Sequence, residues 1–130
     1  YISKESTTSE LASAIQEKID EWNIDSIYID SAAQQVKADF AYDYDIYCEN
    51  AVKSVNDGIN YLQELIEQDN LFFDTLGSSH CFSAMSSYRW NPNTETPKPV
   101  HDWTSHPCDA IRYAIYTHSK MSNISIYAHG

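Results

Sequence analysis

Glycine is scarce in this chain, and its scarcity excludes one class of function. The 130 residues include three glycines, at positions 58, 77 and 130. A phosphate-binding loop of the form G-x-x-x-x-G-K-[ST] needs two glycines separated by four residues, followed by lysine. No stretch of the sequence satisfies that pattern, so we expect no ATPase domain of this kind in the chain.

Basic residues are also few. Eight Lys and Arg stand against nineteen Asp and Glu, which gives a net charge of -11. Proteins that hold DNA tightly do so largely through Lys and Arg, which neutralise phosphates. A metal-dependent nuclease nevertheless needs acidic ligands, because the bound cation reverses the local field. A nuclease reading therefore requires that tight DNA binding come from elsewhere.

Cysteine and long apolar runs are limited too. Three cysteines occur, none in a C-x-x-C pair, at positions 48, 81 and 108. An odd number at wide spacing favours reduced thiols in a cytosol over a disulfide framework. No apolar run approaches the roughly 20 residues that span a bilayer, and no export signal is recognisable. We expect a soluble, non-secreted protein with no membrane partner.

The length predicts a single domain over residues 1–130, because a chain of this size hides roughly 68% of its unfolded surface. The first helix shows a capping box at Thr7–Glu10, with apolar residues Leu11, Ile15, Ile19 and Trp22 on one face. A buried parallel strand at 27–29, a helix at 32–40 and a strand at 46–48 are expected next.

Helices and strands continue to alternate in the second half. Asp57 is predicted to cap a helix that carries Ile59, Leu62 and Ile66. We then expect a strand at 71–73, a helix capped by Ser78 or Ser79, a proline-rich hairpin tip at 91–99 and a last helix capped by Ser105. The alternation predicts a three-layer α/β fold.

Two aspartates stand where a metal site would need them. Asp30 ends the strand at 27–29, and Asp109 lies near the start of the last helix. Carboxylates from a strand end and a late helix can converge on one hard cation such as Mg²⁺ or Mn²⁺. The alternative is structural: Asp30 would begin a turn, and Asp109 would complement the dipole at the start of its helix.

The order of short segments resembles a known family. The segments are Ile27–Ala33 with its strand-end acid, Lys53–Ile59 as K-x-V-x-x-G-I, Tyr88–Trp90 as Y-x-W, and His106–Tyr113 as H-x-x-D-A-x-R-Y. In this order they resemble the nuclease domain of phage terminase large subunits. The family usually has an acid where this chain has Ser86 or Ser87, and often another where it has Ser105.

The resemblance implies an RNase H-like fold, a three-layer mixed sheet flanked by helices, and a metal-dependent endonuclease that cuts concatemeric phage DNA with two Mg²⁺ or Mn²⁺ ions. Asp30 and Asp109 would be the catalytic metal ligands. The implied partners are double-stranded phage DNA, the terminase ATPase domain, the small terminase subunit and the portal. The implied location is the cytoplasm of a bacterial host, for a phage or prophage protein.

The family also suggests roles for His106 and Lys53. His106 lies three residues before Asp109 and so shares its helix face. It would bond the scissile phosphate or a metal-bound water, or transfer a proton, as histidine does near neutral pH; the alternative is a residue that bonds its own helix start. Lys53 would lie near the metal, although a solvated lysine before a helix is the commoner event. A zinc site at His106 and Cys108, or at His101 and Asp102, is not expected because four ligands at the usual spacings are lacking.

The RNase H-like fold begins with a strand that carries its first catalytic aspartate. Asp30 leaves no room for that strand, so we expect one or more N-terminal strands to be missing and the 130 residues alone to cut DNA poorly. The rival hypothesis is a non-catalytic binding or assembly module, whose acidic surface at Asp39–Glu49 docks a basic partner.

Overall fold

A computed structural model describes the backbone of residues 7–129 and the side chains of residues 7–121. This part of the chain has an α/β fold with five helices and a two-stranded parallel sheet. The chain divides into two compact units, Tyr1–Ala51 and Val52–Gly130. No helix within the described residues is long and apolar enough to cross a membrane.

The first unit opens with helix α1, Thr8–Trp22, and the predicted capping box is confirmed. The Glu10 amide donates to Thr7 Oγ1 at 3.2 Å, and the Thr7 amide donates to Glu10 Oε2 at 3.0 Å. These two bonds satisfy amides that a helix start otherwise leaves without partners. Trp22, however, was wrongly placed on the inner face: it is 67% exposed, because the helix ends there and its last turn leaves the core.

Strand β1, Tyr28–Ile29, pairs in parallel with β2, Glu49–Asn50, and helix α2, Gln34–Tyr44, connects them. The Glu49 amide donates to the Ile27 carbonyl at 2.8 Å, and the Ala51 amide to the Ile29 carbonyl at 2.8 Å. The parallel strand at 27–29 is confirmed, although it is half-buried and not fully buried. The strand predicted at 46–48 is wrong, because the pairing begins only at Glu49.

Ile46 and Cys48 belong to the core instead, whereas Tyr47 between them is 71% exposed. Asp45 adopts a left-handed conformation, after which the Ile46 amide donates to the Phe40 carbonyl at 2.9 Å. This turn aims Ile46 and Cys48 inward, where they join Ala12 and Phe40 in the buried cluster of the first unit. Half-buried apolar residues pack around that cluster: Leu11, Ile15, Ile19, Ile27, Ile29 and Val36.

The second unit consists of α3, Val55–Glu67, α4, Ser79–Ser87, and α5, Ser105–His129. Helices α3 and α4 both pack against α5. Asp57 does not cap α3, because the helix begins two residues earlier and leaves Asp57 in its first turn, where a negative charge still suits the dipole. Helix α5 likewise begins at Ser105 itself, the residue predicted to cap it.

The strand predicted at 71–73 is wrong. These residues are irregular, and no neighbouring strand lies beside them in the described part of the chain. The ring of Phe73 meets the ring of Phe82 edge-on at 5.8 Å, so the segment packs on α4 through a side chain and not through a backbone ladder. A run of three apolar residues carries no period that distinguishes these outcomes.

The hairpin predicted at 91–99 is confirmed. Trp90 and Pro99 form an antiparallel bridge, the Asn91 amide donates to the Lys98 carbonyl at 2.7 Å, and the Val100 amide donates to the Arg89 carbonyl at 2.9 Å. The prolines lie in the tip and at its edge, where missing amide donors cost little. Four residues, 101–104, separate the hairpin from the start of α5.

Asparagine and aspartate replace glycine where helices end. Asn23, Asp45 and Asp69 follow α1, α2 and α3, and all three have positive φ, between 51° and 55°. Their short polar side chains tolerate the left-handed region better than other non-glycine residues do. These three residues explain how α1, α2 and α3 end without glycine in a chain that has three glycines.

Candidate functional site

Asp30 follows β1 directly and begins the turn into α2. Its Oδ1 accepts a hydrogen bond from the Ala32 amide at 2.9 Å, and its carbonyl accepts from the Ala33 amide at 2.9 Å. This is an Asx turn, the structural role considered for the residue from sequence. The side chain is half-buried, and its carboxylate stands at the carboxyl end of a parallel strand, a usual place for ligand-binding groups in α/β sheets.

Asp109 is the fifth residue of α5, one position beyond its first turn. Its side chain is 35% exposed, and its Oδ1 accepts a hydrogen bond from Arg112 Nη1 at 2.9 Å. From the sequence, Arg112 lies one turn beyond Asp109 and is expected to pair with Asp109 or with Glu64; the pair with Asp109 is confirmed. Asp109 thus combines partial access to solvent with a fixed orientation, as a metal-binding carboxylate requires.

Asp30 belongs to the first unit and Asp109 to the second. Within either unit, the described side chains include no group of three or more His, Cys, Asp and Glu residues arranged around a common point. The sharing of one cation by Asp30 and Asp109 stays a prediction. Both residues supply carboxylate oxygen, which is the donor type that suits Mg²⁺ and Mn²⁺.

His106 lies exposed on the first turn of α5, and its ring stands edge-on to the ring of His101 at 6.2 Å. Cys108, by contrast, is buried. Residues two apart on a helix do not share a face, so His106 and Cys108 point in different directions. Burial, followed by the charge of Asp109, raises the pKa of the Cys108 thiol to about 11, which keeps it protonated near neutral pH.

Lys53 lies between β2 and α3 and is exposed. Its neighbour Val52 is anchored in the second unit, because its amide donates to Thr117 Oγ1 at 2.8 Å. Thr117 is fully buried on α5, so this bond ties the segment that carries Lys53 to the middle of that helix. The role of Lys53 near a metal stays a prediction.

Asp102 organises the start of α5, a role that the sequence analysis missed. Its Oδ1 accepts from the Thr104 amide at 2.9 Å and the Thr104 hydroxyl at 2.6 Å, while its Oδ2 accepts from Arg89 Nη1 at 3.0 Å. The Thr104 hydrogen bonds, and then Arg89, lower the pKa of Asp102. The D-x-T-S sequence before the helix was the available signal, since Asp and Thr at such spacing form local turns.

The same network fixes the hairpin to α5. Arg89 comes from the hairpin's first arm, and the Ser105 hydroxyl donates to the carbonyl of Val100, at its second arm, at 3.3 Å. Both arms are thereby held at the helix end that presents His106 and Asp109. From the sequence, Arg89 could contact DNA or anchor a loop, and its bond to Asp102 is a loop-anchoring contact.

A cleft of about 210 Å³ lies within the second unit, between α3, α4 and α5. Four apolar residues from α3 and α4 form half of its lining, and Gln63, Tyr88, Cys108 and Arg112 complete it. Burial, and then the charge of Asp109, raises the pKa of Tyr88, although a hydrogen bond with Arg112 opposes the rise. Tyr88 therefore stays protonated and contacts Arg112, the residue that orients Asp109.

Comparison with known proteins identifies one relative. The chain is 40% identical over 125 residues to the "Terminase, large subunit" of Escherichia phage T5, a match that includes 92% of this chain. The chain spans about 28% of the length of that relative. No family model and no solved structure matches. The resemblance to terminase large subunits is confirmed, and it extends through nearly all of the chain.

Proposed function

We propose that this chain, which is related over nearly its whole length to part of a phage terminase large subunit, is an RNase H-like nuclease domain that cuts concatemeric DNA during packaging. The observation that carries the proposal is the 40% identity over 92% of the chain, together with a strand-end carboxylate and a half-exposed helix carboxylate in the expected segments. Its activity is that of a divalent-metal-dependent endodeoxyribonuclease.

Asp30 and Asp109 are the proposed metal ligands. Each already accepts a hydrogen bond at Oδ1, from the Ala32 amide and from Arg112 respectively, so neither carboxylate must be ordered when a cation arrives. A bound Mg²⁺ or Mn²⁺ ion would activate water as a Lewis acid and stabilise the leaving oxygen, and the family resemblance implies two such ions. The donor set of these two residues fits that chemistry.

His106 and Lys53 are proposed to act on the DNA side of the reaction. His106 is exposed on the same helix as Asp109 and three residues before it, so it can bond a phosphate oxygen or exchange a proton near neutral pH. Lys53 is exposed as well, and an ammonium group there would neutralise phosphate charge. The histidine's contribution would appear as a lower cleavage rate in His106→Ala with nearly unchanged metal affinity.

The net negative charge of the chain determines which partners we propose for it. With a net charge of -11, the chain is expected to hold duplex DNA only weakly by its own surface. The proposed function therefore needs cationic surface from the rest of a terminase, which by family resemblance comprises an ATPase domain that works with the small subunit and the portal. The proposed location is the cytoplasm of the phage-infected host, which agrees with three free cysteines.

The test is plasmid cleavage by a terminase large subunit that contains this sequence, with Mg²⁺ or Mn²⁺ added. We expect Asp30→Asn and Asp109→Asn to abolish cutting. Asp25→Asn and Glu64→Gln, exposed acids from the same two units, are the matched controls and should cut normally. Full activity in either Asn variant would remove that residue from the site.

The separate 130-residue chain should bind Mn²⁺ weakly, at about millimolar concentrations, because two carboxylates replace little of the cation's water. It should cut plasmid DNA slowly, and its DNA binding should vanish as salt rises. If it cuts as fast as the longer protein, the expectation that the 130 residues alone cut DNA poorly is wrong.

A second function, docking of a basic partner, is favoured by one observation. The segment Asp39–Glu49 carries four acids, and within it Tyr42 and Tyr47 are 89% and 71% exposed. Exposed tyrosines among acids suit an interface with a cationic protein surface. If the Asn variants cut normally while charge reversal at Asp43 and Asp45 prevents packaging, docking is the function of this region.

A further inference from the structure

The absence of a side chain at Gly58 leaves room for Arg112, which would have to shift if residue 58 carried a Cβ atom. Gly58 is buried in the first turns of α3, at a place where the side chain of Arg112 from α5 crosses the helix. A Cβ atom on residue 58 would lie 2.5 Å from Arg112 Cδ and 2.6 Å from Arg112 Cγ. Real Cβ atoms do not approach other carbons so closely, so the missing side chain is the space through which the arginine stem passes.

The guanidinium group of Arg112 is deeply buried and donates a hydrogen bond to Asp109. The Arg112 side chain is 3% exposed, its Nη1 donates to Asp109 Oδ1 at 2.9 Å, and its charge lies 5.2 Å from the centre of the Tyr113 ring. Its Nε is buried with no hydrogen-bond partner. Burial of a cation with an unsatisfied donor is costly, and apolar residues of similar volume pack a helix interface at lower cost.

We infer that Arg112 is a positioning residue that fixes the carboxylate of Asp109 for a metal ion, and that Gly58 is present to admit its stem. The inference rests on the proposed function, in which Asp109 ligates the cation. A bond from Arg112 to Oδ1 fixes the side-chain rotation of Asp109 and so fixes the direction of Oδ2. It also links two segments of the family resemblance, Lys53–Ile59 and His106–Tyr113, through one side chain.

Charge and geometry act in opposite directions here, so the test must separate them. The positive charge of Arg112 repels a metal cation, whereas its hydrogen bond preorganises the ligand that the cation needs. Removal of the arginine changes both effects at once. Two substitutions leave the net charge unchanged: Arg112→Lys, which loses the planar fork, and Gly58→Ala, which displaces the stem and retains the arginine.

The experiment measures Mn²⁺ affinity of the 130-residue chain by electron paramagnetic resonance, at a temperature where circular dichroism shows each variant folded. We expect Arg112→Lys and Gly58→Ala each to weaken binding about tenfold, the lower end of the usual effect of losing a partner that orients a ligand. Gly77→Ala is the matched control: a Cβ there meets only the carboxylate tip of Asp74, and affinity should equal that of the wild type.

Asp109→Asn separates this inference from the proposed function. If wild-type protein binds Mn²⁺ no better than Asp109→Asn, the proposed metal site fails. If Asp109→Asn weakens binding but Arg112→Lys and Gly58→Ala bind as the wild type does, or more tightly, the positioning role of Arg112 is overturned. Should one of the two charge-conserving variants not fold, the other decides.

A double-mutant cycle tests the role of Gly58 by stability alone. Gly58→Ala should lower the melting temperature in the wild-type background and lower it much less in an Arg112→Ala background, where the clashing stem is gone. If the two substitutions lower the melting temperature additively, Gly58 is not needed to accommodate the side chain of Arg112.

Discussion

The two units bury different kinds of residue. The core of the first unit consists of Ala12, Phe40, Ile46 and Cys48, and no buried polar or charged residue occurs in its described part, residues 7–51. Among residues 52–121 of the second unit, four polar or charged residues are buried: Thr104, Ser105, Arg112 and Thr117. All four lie on α5 or immediately before it, the helix that carries His106 and Asp109.

The difference shows in which unit buried side chains must be held in a defined direction. Burial of an apolar side chain stabilises with no requirement on direction, whereas a buried polar group must meet a partner at hydrogen-bond geometry. Thr117 holds Val52, Thr104 and Ser105 take part in the network that fixes the hairpin, and Arg112 holds Asp109. The core of the second unit therefore holds polar side chains in defined directions, whereas the described core of the first unit depends on apolar packing.

Truncation of the apolar core should give the largest loss of stability. Phe40 is 3% exposed at the centre of the first unit, so Phe40→Ala removes a whole ring and leaves a cavity. We expect a loss of about 3–5 kcal/mol in the free energy of unfolding, measured by urea denaturation. The exposed Phe72→Ala is the control, with an effect within about 0.5 kcal/mol. Equal losses would contradict the assignment of Phe40 to the core.

High pH should destabilise the second unit more than the first. Burial raises the pKa of Cys108 from 9.0 to about 11, while at Cys48 the effect of burial is opposed by Lys37. A raised pKa in the folded state contributes stability below the unfolded pKa, and that stability is lost as pH rises from about 9 to about 11. At 1.36 kcal/mol per pKa unit, the contribution of Cys108 is at most about 2.7 kcal/mol.

Urea denaturation at pH 8.5 and pH 11 tests whether the free energy of unfolding falls at high pH and whether Cys108 causes the fall. Cys108→Ala should reduce the loss of stability between the two pH values more than Cys48→Ala does. Alkylation gives a second measurement, because the half-buried Cys81 should react before the buried Cys108. If Cys108→Ala and Cys48→Ala lose the same free energy of unfolding between pH 8.5 and pH 11, the pKa of Cys108 is not raised more than that of Cys48.

Loss of a single polar contact in the second unit should cost less. Thr117→Val keeps the shape of a side chain that is 1% exposed but removes the oxygen that accepts from the Val52 amide. An amide left without its partner costs about 1–3 kcal/mol. Hydrogen exchange should show loss of protection at Val52, with Thr75→Val, which is exposed, as the control. An unchanged Val52 amide would show that the bond does not anchor the segment before α3.

Local patterns allowed the sequence to predict most of the helices and the hairpin. The capping box at Thr7–Glu10 and the prolines of 91–99 act within a few residues, so their outcome depends little on the rest of the chain. The strand at 71–73 was wrong because a strand needs a partner elsewhere, which a three-residue run cannot specify. The same holds for the strand at 46–48, whose apolar residues were needed by the core.

The candidate site was predictable in its residues but not in their surroundings. Segment order pointed to Asp30, His106 and Asp109, and an arginine one turn beyond Asp109 suggested their pairing. The contact of Gly58 with Arg112 was not predictable, because it joins two helices that no local rule relates. A lone glycine inside an amphipathic helix was the available hint, since such a glycine usually has a packing reason.

The smallest expected effect concerns the surface of the first unit. Thr7→Ala removes the hydroxyl that accepts from the Glu10 amide and leaves half of the capping box. Because both residues are exposed, water replaces part of the lost bond, and we expect a loss of about 1 kcal/mol. Ser9→Ala, exposed in the same turn, is the control and should cost less. Hydrogen exchange in the first turn of α1 measures the difference, and equal exchange in the two variants would show that the capping box adds nothing to an end that the apolar core already holds.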